Sequence, residues 1–198
     1  MKILIACEFS GRVRDAFRAR GHDAWSCDLA PTEGDDSYHV QADVFEVLTA
    51  PPAWDAMIAF PPCTYLTKSN AWRWGAIEAE RERALNFVRG LMGAPIPLIA
   101  IENPSGAIGT QIRKADQYVQ PWMFGDPYQK MTGLWLKGFA RLAPEVQVKP
   151  ADVVPWVQAG YGPRKENGKR TSGGVVRSAH ERNKTFPGIA RAMAEQWG

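Results

Sequence analysis

Cys63 is the side chain best placed for covalent chemistry. The segment Phe60-Pro61-Pro62-Cys63 carries an apolar run directly into two prolines, and such a pair makes a rigid turn that projects the next side chain from a sheet edge. A thiol held there acts as a nucleophile if a lowered pKa or a partner lets the thiolate form, which helix N-termini and basic neighbours in a crevice can supply. Taken alone, such a residue is more often a buried, inert cysteine that follows a strand. A second reactive group stands in Ile101-Glu102-Asn103-Pro104, where a carboxyl group closes another apolar run. By itself, a strand-terminal Glu is more often a helix cap or an ion-pair partner.

These groups need a scaffold, and the apolar pattern predicts one. Residues 2–7, KILIAC, suit a buried parallel strand that ends in the turn Glu8-Phe9-Ser10-Gly11. A helix follows, with Val13, Ala16 and Phe17 on one face, Arg12, Arg14 and Arg18 as polar cover and Gly21 as its stop. Residues 24–28 form a second strand closed by Asp28, and 55–60 a third that leads into the Cys63 loop. The clearest helix covers 76–92, where Ile77, Ala84, Leu85, Val88 and Leu91 oppose Glu78, Glu82 and Arg89. A strand over 97–102 ends at Glu102, another over 132–137 is open to a parallel or an antiparallel direction, and 187–197 close the chain as an amphipathic helix with Pro at its first turn.

Strands and helices in alternation predict an α/β fold: a Rossmann-like, doubly wound, mostly parallel sheet with helices on both faces. Ligands bind such sheets outside the carboxyl ends of the strands. Phe9, Ser10, Gly11, Asp28, Cys63 and Glu102 all follow or terminate predicted strands, so one crevice can collect them.

The 198 residues, 45% hydrophobic, are enough for one domain with a real core. A formal net charge of +3 does not single out a nucleic-acid partner. Cys7, Cys27 and Cys63 include no CxxC pair and no histidine at zinc-ligand spacing. That argues against a disulfide framework and a metal site and suits a reducing cytoplasm. Glu8, Arg12 and Arg14 interrupt the apolar start too early for a signal peptide, and no run reaches membrane-spanning length. A monomer with no membrane partner is expected. The one shift in composition lies in 161–184, where Arg164, Lys165, Lys169, Arg170, Arg177, Arg182 and Lys184 meet only Glu166 and Glu181 among many glycines. This basic loop either contacts phosphates or is a solvated surface.

The ordered set Phe9-Ser10-Gly11, Asp28, Pro61-Pro62-Cys63 and Glu102-Asn103, closed by Lys184-Thr185-Phe186-Pro187-Gly188-Ile189-Ala190, resembles the DNA (cytosine-5)-methyltransferases over nearly the whole chain. Each motif is short, and their order carries the weight. The resemblance implies a class I S-adenosylmethionine-dependent methyltransferase fold and DNA as substrate. It implies that Cys63 adds to C6 of cytosine, that C5 takes the methyl group, that Glu102 holds the base at N3 and the exocyclic amine, and that Asn103 buttresses the loop. Phe9, Ser10, Gly11, Asp28, Asp43 and Pro61 become the contacts to the methyl donor. Asp43 has a second reading as the N-cap of a helix starting at Val44. The implied organisation is a donor-binding catalytic core over 1–140, a basic, Gly-rich and reduced target-recognition segment over 141–183 containing Arg164, Lys165, Lys169, Arg170, Arg177 and Arg182, and a returning helix over 184–198.

The chain departs from the family at three points. Arg12-Val13-Arg14 replaces the usual glycines after Phe-Ser-Gly; the Gln-x-Arg-x-Arg motif is not clearly present, with Gln129-Lys130 in about its place; and the target-recognition region is short. Trp72, Trp74 or Tyr65 could stack on an extruded base. Rival readings are a pyrimidine C5 methyltransferase acting on a free nucleotide or RNA, a catalytically idle nucleic-acid binder, and an exocyclic-amine methyltransferase. The last is disfavoured by Phe60 and Cys63 at the two ends of the Pro-Pro segment.

Overall fold

The computed structural model describes residues 1–50, 53–68, 75–156 and 178–198. Strand β1 (Lys2–Ala6) runs through the interior, with Ile3, Leu4, Ile5 and Ala6 fully buried. Successive strand side chains point to opposite faces, and here both faces are covered. Ile3 and Ile5 pack with Val13, Phe17, Ile189, Met193 and Trp197 from α1 (Arg12–Arg18) and α6 (Pro187–Trp197). Leu4 and Ala6 pack with Val44, Val47, Leu85, Val88 and Leu91 from α2 (Val44–Thr49) and α3 (Glu78–Met92).

The remaining strands of the main sheet are β2 (Asp23–Asp28), β3 (His39–Gln41), β4 (Ala56–Ala59), β5 (Leu98–Pro104), β6 (Gln117–Val119) and β8 (Thr132–Lys137). Their order is β3-β2-β1-β4-β5-β8-β6; the first five are parallel, and β8 is antiparallel to both β5 and β6. The chain winds outward from β1 in one direction through β2 and β3, then restarts at β4 on the other side. The switch between β1 and β4 opens the crevice in which ligands of such sheets bind. This is the Rossmann-like α/β architecture expected from the strand and helix alternation, and the strand over 132–137 is antiparallel.

Several short elements lie outside the apolar pattern: β3, β6, α4 (Ala107–Gln111), α5 (Ala179–Arg182), and a two-stranded parallel pair formed by β7 (Tyr128–Gln129) and β9 (Val154–Pro155). None carries a continuous apolar run or a full helical face that could be read locally. Arg14 corrects one expectation. The helical pattern places it in the polar cover of α1, yet its side chain is fully buried, with Nε on Asp15 at 2.7 Å and Nη1 on the Ser26 hydroxyl at 3.0 Å. Among the described residues no helix is long and apolar enough to cross a membrane.

Candidate active site

The carboxyl ends of β1, β2, β4 and β5 surround a cavity of about 310 Å³. Cys7, Phe9, Asp28, Pro61, Cys63, Glu102 and Asn103 line it, together with Lys130, Thr132 and the segment Arg182 to Phe186. A second cavity of about 220 Å³ shares Cys7, Asp28 and Pro62 with the first, so the two form one crevice. Its wall is mostly apolar, from Leu29, Ala42, Val44, Tyr65 and Phe87, with Asp43 beside them.

The Cys63 turn is clamped to the end of β5. Buried Asn103 donates its side-chain amide to the Pro61 carbonyl at 2.8 Å. The Cys63 carbonyl accepts from the backbone of Leu66 and of Thr67, both at 3.0 Å, and Ala107 N–H donates to the Leu66 carbonyl at 2.7 Å. Lys68 N–H reaches the Ser105 carbonyl at 3.2 Å, and Thr67 bridges Gly106. The two loops approach so closely that a Cβ on Gly106 would stand 1.8 Å from the Leu66 carbonyl oxygen. Glycine is required there by contact, since a real side chain would force the loops apart.

Glu102 projects from β5 beside the antiparallel strand, where the Thr132 hydroxyl donates to its Oε1. Burial pushes the Cys63 thiol above its ordinary pKa and the Glu102 carboxylate adds to that, while Lys130 and Arg182 pull in the opposite direction. The thiol is therefore the dominant form at neutral pH, in contrast to the thiolate-favouring setting expected from the turn alone.

The turn after β1 is built around an acid that sequence reasoning did not single out. Glu8 is buried; it accepts from the Ser10 hydroxyl and, at 3.0 Å, from the Gly11 N–H. Burial raises its pKa, opposed by these two bonds and by Arg14. Gly11 has φ of 75°, the left-handed region that favours glycine. Cys7 shares that region at φ 56°, which a non-glycine residue adopts only at a cost of about 1–3 kcal/mol. Cys7 lines both cavities, and burial with Asp28 nearby pushes its thiol up to about 12. Only structural context reveals this backbone geometry.

Phe9 thus faces the first cavity, whereas Ser10 and Gly11 stand in the turn behind it. Asp28 lines both cavities and accepts from the Ala30 N–H at 2.9 Å. Asp43 caps α2 by accepting from Phe45 N–H at 2.8 Å and also lines the second cavity. Tyr65 lines the second cavity rather than the one holding Cys63.

No family model and no curated protein matches the sequence. Among solved structures, the chain is similar to a candidate DNA modification methyltransferase encoded within an E. coli prophage, at 17% identity and TM-score 0.44, over 68% of this chain and 45% of that one. It is also similar to the Entamoeba histolytica methyltransferase EhMeth, at 14% identity and TM-score 0.46, over 74% of this chain and 55% of that one. The chain spans about half the length of each.

The far wall of the first cavity comes from the C-terminal motif. Lys184 is held by Glu33 at 2.9 Å and Glu181 at 2.8 Å, while His180 pairs with Glu33 and its ring lies 4.7 Å from that of Phe9. Arg12 donates to the Thr185 carbonyl at 2.9 Å, which ties the first turn to the C-terminal segment. Of the basic residues expected to meet phosphates, Arg182 stands on the cavity wall; Arg164, Lys165, Lys169, Arg170 and Arg177 lie outside the described residues, as do Trp72 and Trp74. Gln129 accepts from Lys149 at 3.0 Å and is absent from the cavity wall, which its neighbour Lys130 joins.

Proposed function

We propose that the chain is an S-adenosylmethionine-dependent methyltransferase that methylates C5 of cytosine in DNA through an adduct between Cys63 and C6. The observation that carries this reading is that Cys63 and Glu102, 39 positions apart in sequence, stand on one cavity wall with Asn103 fastening the turn between them. The crevice suits the donor. The apolar second cavity has the chemistry for an adenine ring, and Asp28, between the two cavities, offers carboxylate oxygens to a ribose diol. Phe9 and Pro61 then border the methionine end, and Asp43 the adenine end. S-adenosylmethionine bound there supplies an electrophilic methyl group for C5.

The chain's own groups do the rest. The Cys63 thiol passes its proton to Glu102, which removes the negative charge that opposes the thiolate. The sulfur adds to C6, the C5–C6 double bond opens, and its electron pair is delocalised over C5, C4 and N3. Glu102, now protonated, donates to N3 and accepts from the exocyclic amine, which stabilises that charge where it develops. After methylation the C5 proton leaves to solvent, the C5–C6 bond re-forms, and the thiolate is expelled. Arg182, at the rim, meets the phosphate of the extruded nucleotide, and the basic loop containing Arg164, Lys165, Lys169, Arg170 and Arg177 extends that contact.

Transfer of labelled methyl from S-adenosylmethionine to cytosine-containing DNA tests the reading. Wild type should label the base at C5, and Cys63→Ser should reduce transfer by at least about a thousandfold, on the scale of a lost covalent nucleophile. Labelling of dCMP or RNA with none of DNA would move the substrate, and labelling unaffected by Cys63→Ser would remove the mechanism.

A further inference from the structure

Lys130 lies between β7 and β8, two residues before Thr132. Its half-buried side chain joins the cavity wall that holds Cys63 and Glu102. The ammonium donates to the Arg182 carbonyl at 2.8 Å and stands 5.9 Å from the centre of the Phe186 ring. Both anchors are uncharged, and among the described residues no carboxylate pairs with this ammonium. Lys130 therefore carries an un-neutralised positive charge at a fixed place on the wall.

The other charges facing Cys63 come from two elements. Glu102 on β5 opposes ionisation of the sulfur, while Arg182 on α5 favours it less strongly than Lys130 does. Lys184, on the same wall, is already shared by Glu33 and Glu181. Asp28, also on that wall, acts on Cys7 instead. The turn from Lys130 to Thr132 thus serves both groups: Thr132 engages one carboxylate oxygen of Glu102, and Lys130 lines the same cavity as Cys63 and lies close enough for its charge to act on the sulfur.

We propose that Lys130 is a positioning residue of this site, its ammonium favouring the ionised sulfur of Cys63. The proposal rests on the reading of Cys63 as nucleophile, and its test needs neither methyl donor nor DNA. Cys63 is alkylated with iodoacetamide across a pH series, and modification is read at its own peptide by mass spectrometry. Lys130→Met should move the midpoint of the alkylation profile upward by about half a unit to one unit, the scale for removal of one nearby partly screened charge. Lys130→Arg should keep the midpoint near that of wild type. Lys130→Gln provides a second neutral variant should the Met substitution perturb folding, which far-ultraviolet circular dichroism reports. A midpoint that stays put in the folded neutral variants overturns the proposal. If the midpoint shifts and no DNA methylation is found, the methyltransferase reading fails and the role of Lys130 stands; the reverse result removes Lys130 alone.

Discussion

The side-chain amide of Asn103 donates to the carbonyl of Pro61 at 2.8 Å, joining the strand that ends in Glu102 to the turn that projects Cys63. This bond is buried and spans two neighbouring parallel strands. It fixes the separation of the two reactive groups, since each sits one or two residues from a bonded partner. Catalysis that depends on such placement loses rate steeply when it is loosened by even an ångström.

Asn103→Ala therefore should lower methyl transfer by about 10- to 100-fold and destabilise the fold by about 1–3 kcal/mol, because the Pro61 carbonyl loses its side-chain donor. Steady-state kinetics and urea unfolding measure the two effects. A variant with wild-type turnover would show that the tether does not position Cys63.

Gly106→Ala tests the closeness of the two loops. Its methyl group would overlap the Leu66 carbonyl oxygen, so the loops must separate at a cost of about 1–3 kcal/mol. Cys63 should then alkylate faster as its turn opens to solvent. Unchanged unfolding and unchanged alkylation would contradict the described contact.

Asp28→Ala should weaken binding of S-adenosylmethionine by about tenfold or more, the scale of a lost hydrogen bond to a charged group, with a smaller effect on turnover at saturating donor. Isothermal titration calorimetry gives the affinity. Equal affinity in the variant would take the ribose away from Asp28.

Glu8 predicts an acid-side dependence of stability. Burial raises its pKa in the folded chain, so the native state holds this proton more tightly than the unfolded one. The group's stabilising contribution is full below the unfolded carboxyl pKa and is lost as pH rises through the folded value. Glu8→Gln should flatten that part of the pH profile while keeping an acceptor for Gly11 N–H. Urea midpoints for both proteins from pH 4 to 8 would show it, and parallel profiles would contradict it.

The long helices were legible because each completes several turns of its apolar pattern, and the central strands because each is a continuous apolar run. β1, β4 and β5 are short buried runs, and each ends at or just before a residue of the crevice. Cys63, Glu102 and Asn103 could be read for the same reason: a doubly wound sheet collects strand ends whatever their distance in sequence. The support around them could not be read. Thr132 meets Glu102 only once the antiparallel register of β8 on β5 is known. Arg14 looks like solvated cover in a helical pattern, and its burial depends on a slot formed by Asp15, Ser26 and the close approach of Gly11 and Gly34. The strained Cys7 and the low ionisation of Cys63 likewise follow from packing between distant segments.

DNA containing 5-fluorocytosine should trap the proposed covalent bond between the Cys63 sulfur and C6 of cytosine. Fluorine at C5 leaves no proton to lose after methylation, so expulsion of the thiolate is blocked and the adduct persists. Incubation with S-adenosylmethionine should give a protein–DNA species that survives denaturation, maps to the peptide containing Cys63 and is absent from Cys63→Ser. Methyl transfer to ordinary cytosine with no such species, or a species that persists in Cys63→Ser, would contradict the account.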